Sequence, residues 1–166
     1  MPPSLPIRCL RLIQIVLRDE PAFLFALLCY LNPRLWRKVS GRMRERILTL
    51  QGPGGKVTIA ARVADTFLRR AAGFRGATSE EIERTLILFD FGREVVSDMS
   101  MRDVSAPLDI AFIKGDGRLF SILRMAPDPA ARYRSPGPFR YALEARAGFF
   151  EHREIRPGEA VLMVER

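Results

Sequence analysis

The sequence predicts an α+β fold: a β-rich, compact, barrel-like sheet, mixed or antiparallel, with one or two short helices and an N-terminal helical extension. Three observations carry this reading. In residues 107–125, two apolar runs, Leu108–Ile113 and Leu119–Met125, flank Lys114-Gly115-Asp116-Gly117-Arg118. Asp-Gly tolerates the positive φ that a tight hairpin turn needs. Further short runs of β-branched, aromatic and aliphatic residues follow one another between Gly, Pro and Asp turn signals, the rhythm of a small sheet. Residues 1–50, by contrast, read as basic amphipathic helices.

The N-terminal elements come first. Leu10–Leu17 is apolar with polar interruptions, and Asp19-Glu20-Pro21 has the acidic and proline residues of a helix start. Ala22–Leu31 is a run of ten apolar residues closed by Asn32-Pro33. Ten residues are too few for a bilayer span, which takes about 20 as helix. No small-residue cleavage site follows, so neither a transmembrane span nor a cleavable signal peptide is expected, and the expected location is cytoplasmic, with peripheral membrane contact as an option. A second helix is expected over 34–50. Leu35, Val39, Met43, Ile47 and Leu50 recur at spacings of three and four, and Arg37, Lys38, Arg42, Arg44 and Arg46 fill other positions, with Trp36 near the start. Gln51-Gly52-Pro53-Gly54-Gly55 is read as a linker, giving a helical extension at 1–50 and a β-rich domain at 51–166.

In the second region, Lys56–Ala64 alternates as a strand. Phe67–Ala72 is a short helix with Asp65 as its expected N-cap and Gly73 as its stop. Thr78-Ser79-Glu80-Glu81 has a second cap signature, read with Ser79 as the capping residue. Thr85–Phe91 is a strand, 94–101 is ambiguous, and the hairpin follows. Prolines and Gly137 mark an irregular loop between 127 and 138. Phe139–Ala145 alternates as a strand, and 160–164 closes the chain after a turn at 156–159.

Composition narrows the function classes. The chain has 166 residues, enough for one domain with a real core. Its net charge is +8, and the excess is local: residues 1–50 hold 9 Lys/Arg against 3 Asp/Glu, residues 51–166 hold 18 against 16. The two cysteines, Cys9 and Cys29, are read as apolar packing residues, so no disulfide framework or Cys-based metal site belongs to 51–166. His152 is the single histidine, which rules out a multi-His zinc site, and its neighbours Glu151 and Arg153 place it in solvent. No metal and no cofactor are expected.

VADTFLRRAAGF (63–74), LILFDF (86–91), PLDIAFIKGDGRLFSILRM (107–125), SPGPFRYALEARAGFF (135–150) and IRPGEAV (155–161) resemble, in sequence and order, the prokaryotic family catalogued as domain of unknown function 192. The resemblance covers residues 57–164. It implies a compact β-rich α+β domain and brings no activity, cofactor or catalytic residue with it. The chain departs from the family pattern at two places. Met99-Ser100-Met101-Arg102-Asp103-Val104 stands where the family has an aromatic pair and a Met-Lys-Asn-Thr-like segment. Gly73-Phe74-Arg75 stands where it reads Gly-Leu-Met.

Polar residues inside apolar segments are the candidate site: Asp109 and Glu144 within strands, Arg102 and Asp103 before Pro107, and Arg140 near Glu144. Burying such groups unpaired costs several kcal/mol per ion, so they are paired, solvated or functional. The bland alternative pairs Asp109 or Glu144 with Arg102 or Arg140, or has them cap backbone amides. The leading functional reading is a binding or interaction module, docked through Leu35, Trp36, Arg37, Lys38, Val39, Arg42, Met43, Arg44, Arg46 and Ile47 to a protein partner or an anionic membrane surface. The alternative use of that stripe is packing on the domain itself or on a second subunit. A small hydrolase-like or carbohydrate-active enzyme using Asp109 and Glu144 as a carboxylate pair is a second reading, with no catalytic motif in its favour. Nucleic-acid binding through residues 34–46 is the third, disfavoured because the β-rich region is nearly neutral and shows no stacking face.

Overall fold

In the computed structural model the described residues are 32 and 34–164. Expectations for Leu10–Leu17, Ala22–Leu31, Cys9 and Cys29 lie outside them. Helix α1 (Arg34–Ser40) is followed by strands β1 (Arg44–Gly52) and β2 (Gly55–Ala64), helices α2 (Phe67–Ala72) and α3 (Ser79–Arg84), and strands β3 (Ile87–Val95) and β4 (Asp98–Ser100). The hairpin β5 (Leu108–Ile113) and β6 (Leu119–Met125) comes next, then β7 (Arg132–Arg134), β8 (Phe139–Arg146), a short 3-10 turn at Glu151–Arg153 and β9 (Val161–Val164).

Seven strands form one mixed sheet in the order β6-β5-β8-β3-β2-β1-β9, and β4 pairs with β7 in a separate ribbon. Among the described residues, only β2 and β3 run parallel. Parallel neighbours need a crossover connection, and α2 and α3 supply it. The sheet is not a closed barrel. Its two edges meet at one bridge, Arg118 with Val161, beside hydrogen bonds from the Leu119 amide to the Ala160 carbonyl (2.9 Å) and from the Leu162 amide to the Gly117 carbonyl (2.8 Å).

Each face of the sheet buries its own core. Along β5 all six residues are buried. Successive side chains alternate between faces, so Ile110 and Phe112 join a cluster with Trp36, Phe74, Ile82 and Phe139, while Ala111 and Ile113 join Leu48, Ile59, Leu88, Leu143 and Leu162. The second cluster draws a buried residue from each of the seven strands and fills the inside of the curled sheet. The first lies outside it, under the helices and the β4–β7 ribbon.

The helix expected over 34–50 is corrected. It stops at Ser40, where the Gly41 amide still bonds back to the Arg37 carbonyl, and 44–52 is a strand. The stretch expected as a linker is the turn of the β1–β2 hairpin, with Gly52 opposite Gly55. Of the proposed contact stripe, Trp36 and Met43 are buried and Leu35 and Val39 pack against the same cluster, so the domain itself covers most of it. Ile47 alone of its apolar members stays exposed. The two caps shift by one residue. Thr66, not Asp65, caps α2, and Asp65 instead accepts from Arg69 at 2.7 Å and Arg44 at 3.2 Å. Thr78, not Ser79, caps α3 in a reciprocal box with Glu81.

Candidate functional site

Strand β8 lies between β5 and β3, so Glu144 is flanked by Ile110 on one side and Ile87 on the other. All three point to the face that the helices cover. The chain leaving α2 passes directly above. A Cβ on Gly73 would stand 3.4 Å from the Phe89 ring and 3.8 Å from Glu144 Oε2, at a φ of +46° that disfavours any side chain. Glycine there lets the backbone run over the carboxyl group without sealing it.

Between α2, the Gly73–Arg75 segment, β3 and the β4 ribbon lies a cleft of about 350 Å³ with Glu144 among its lining residues. Its walls are mainly apolar: Phe74, Phe89, Phe91, Met99, Val104 and Leu108. Arg70, Arg75, Ser97, Asp98 and Ser100 supply polar edges. Glu144 is 5% exposed, and no hydrogen bond or ion pair reaches its carboxyl group among the described residues. Burial alone pushes its pKa from 4.5 to about 8. An apolar surrounding that disfavours the charged form keeps such an acid protonated near neutrality, where it can donate a hydrogen bond.

The other carboxylate of the candidate pair is elsewhere. In the β5–β8 register Asp109 stands opposite Ala145 and Ile110 opposite Glu144, so Asp109 and Glu144 project from opposite faces. Asp109 accepts from Arg124 at 2.7 and 3.3 Å and from the buried Gly148 amide at 2.7 Å. It is a structural anion whose partner is Arg124, not Arg102 or Arg140. Two carboxyl groups separated by a sheet cannot flank one scissile bond, and the paired-carboxylate chemistry is overturned. Arg140 faces Asp90 at 3.5 Å in a groove with Arg44 and Arg46. Arg102 and Asp103 are exposed on the loop after β4, where the Asp103 carbonyl accepts from the Gly76 amide at 2.8 Å. The five polar candidates therefore do not converge. His152 is exposed, and its Nδ1 meets the Gly148 carbonyl.

Sequence reasoning missed Arg70, Phe89, Phe91 and Ser97 as members of the site. A usable signal was present. The two places where the chain departs from the family pattern, Gly73-Phe74-Arg75 and the segment around Met99, Ser100 and Val104, both line this same cleft.

The family model described as Uncharacterized ACR, DUF192, matches residues 49–163. The chain belongs to the DUF192 family. The match begins inside β1 and ends inside β9, so it takes in almost the whole seven-stranded sheet. No curated protein matches the chain. Among solved structures, a Sinorhizobium meliloti protein provisionally described as a transcription regulator is similar at 26% identity and a TM-score of 0.68, covering 74% of this chain and 95% of its own. A Novosphingobium aromaticivorans protein of unknown function shares the fold at 23% identity and a TM-score of 0.64, covering 70% and 83%. Among the described residues of this DUF192 member, no helix is long and apolar enough to cross a membrane.

Proposed function

We propose that this DUF192 domain is a binding module for a small molecule with an apolar body and a hydrogen-bond acceptor, which enters the cleft above β8 and accepts a hydrogen bond from Glu144. One observation carries the reading: a buried carboxyl group with no protein partner among the described residues lines an open, largely apolar cleft. Buried polar groups are normally satisfied within the protein, and one that is not stands ready for a ligand. The cleft volume of about 350 Å³ suits a small organic molecule.

Titrating the full chain with 3-phenylpropanol, followed by amide NMR, tests this. Shifts confined to Gly73, Phe89, Met99 and their neighbours, and lost in Glu144→Leu, support it. Shifts scattered over the surface, or unchanged in the variant, overturn it.

Docking to a protein partner or an anionic membrane keeps its charged half and, of its apolar half, Ile47. Arg37, Lys38, Arg42, Arg44 and Arg46 are exposed, whereas Trp36 and Met43 are inside. The regulator description of the Sinorhizobium protein would fit nucleic-acid binding through residues 34–46. That reading needs a continuous basic helix, and this segment is a seven-residue helix running into a sheet strand.

A further inference from the structure

Four ionisable side chains line the cleft, and they differ in what already holds them. Asp98 faces Arg134 at 3.7 Å, and the Arg75 guanidinium lies 5.3 Å from the centre of the Trp36 ring. Glu144 has no partner among the described residues. Arg70 is half-buried, stacks over Phe91 at 5.0 Å, and uses one N–H on the Asp90 carbonyl at 3.0 Å. It makes no ion pair among the described residues, and the remaining four of its five donors are unused there.

Burial draws the Arg70 pKa below its usual value, opposed by the Asp90 and Asp65 carboxylates at longer range. Those two anions are committed elsewhere, Asp90 to Arg140 and the Gly92 amide, Asp65 to Arg44 and Arg69. The cleft thus offers donors at two separate points: a protonated carboxyl group and an unpaired guanidinium. No hydrogen bond or ion pair joins the two, so each is available to a ligand.

Resting on the binding reading above, we infer that the ligand is a carboxylate on an apolar frame, its charged end taken by Arg70 and a second acceptor by Glu144. A guanidinium presents a planar fork that matches both oxygens of a carboxylate. A cation would meet two arginines in the lining. A neutral ligand would leave Arg70 partly desolvated without a counter-charge.

The probes are 3-phenylpropionate, 3-phenylpropanol and 3-phenylpropylammonium, titrated at neutral pH into the full chain and into Arg70→Gln and Arg70→Lys. The acid is expected to bind at least tenfold more tightly than the alcohol, with the amine weakest. Arg70→Gln should bring the acid-to-alcohol ratio close to one, and Arg70→Lys should keep part of it. Equal binding of acid and alcohol, a tighter amine, or a ratio unchanged in Arg70→Gln overturns the anion preference while leaving the binding reading intact. No response to any probe at Gly73 and Phe89 overturns both.

Discussion

Glu144 carries its burial at a cost that depends on pH. Its pKa is raised from 4.5 in the free chain to about 8 in the fold. Below pH 4.5 both states hold the proton and no penalty exists. As pH rises from 4.5 towards 8, the unfolded chain ionises and the folded one does not, so stability falls by about 1.4 kcal/mol per pH unit. The loss is on the order of 3 kcal/mol at pH 7 and levels off above pH 8. Glu144→Gln has no proton to lose. It should match the wild type near pH 4 and exceed it by about 3 kcal/mol at pH 7, as read from urea melts at pH 4, 7 and 9. Parallel curves would mean that Glu144 is ionised in the fold. Asp109, by contrast, is held by Arg124 and the Gly148 amide. Asp109→Ala leaves the Gly148 amide buried without an acceptor and should cost on the order of 2 kcal/mol, whereas Asp109→Asn keeps an acceptor and should cost less. The sequence marks both residues as anomalous inside apolar strands. It does not distinguish them, because which one has a partner depends on Arg124 from the neighbouring strand.

Elements whose local signals agree with their tertiary surroundings were legible. The β5–β6 hairpin is the clearest: Gly117 takes φ +89° at the turn and its amide bonds to the Lys114 carbonyl at 3.0 Å. Gly117 has a second duty that no local pattern announces. A Cβ there would run into the Leu162 carbonyl of β9, the contact that joins the two edges of the sheet. Gly117→Ala should therefore cost on the order of 2 kcal/mol, more than turn strain alone, and should broaden or shift the amide resonances of 160–162. Thermal melts and amide spectra check both. Residues 34–50 misled because two periods overlap. Leu35, Val39 and Met43 keep helical spacing through α1 and the turn after it. From there Leu48 and Leu50 alternate with half-exposed Thr49, which is strand spacing. The turn at Gly41–Arg42 separates them. The β-forming run Ile47–Leu50 then gains partners on both sides, β2 and β9, and the pairing decides its conformation.

The whole molecule follows from that last pairing. If the cationic front end were an addition to a self-standing domain, a chain beginning at Gly52 would fold. The sheet argues otherwise. Among the described residues, every strand pair of β9 other than the single bridge to Arg118 is made with β1, over Leu48–Gln51. Leu48 and Leu50 are at most 1% exposed in the inner core, and Trp36 is equally buried in the outer one. Removing large core side chains costs about 2–5 kcal/mol each, and a domain's whole stability is about 5–15 kcal/mol. Loss of three of them, with one sheet edge left unpaired, consumes that margin. A truncation starting at Gly52 should show no cooperative thermal transition and poorly dispersed amide resonances, while the full chain melts in one step. A sharp transition near that of the full chain would mean that β1 contributes little to the sheet, and that the cleft over β8 is held by β3, β5 and the helices alone.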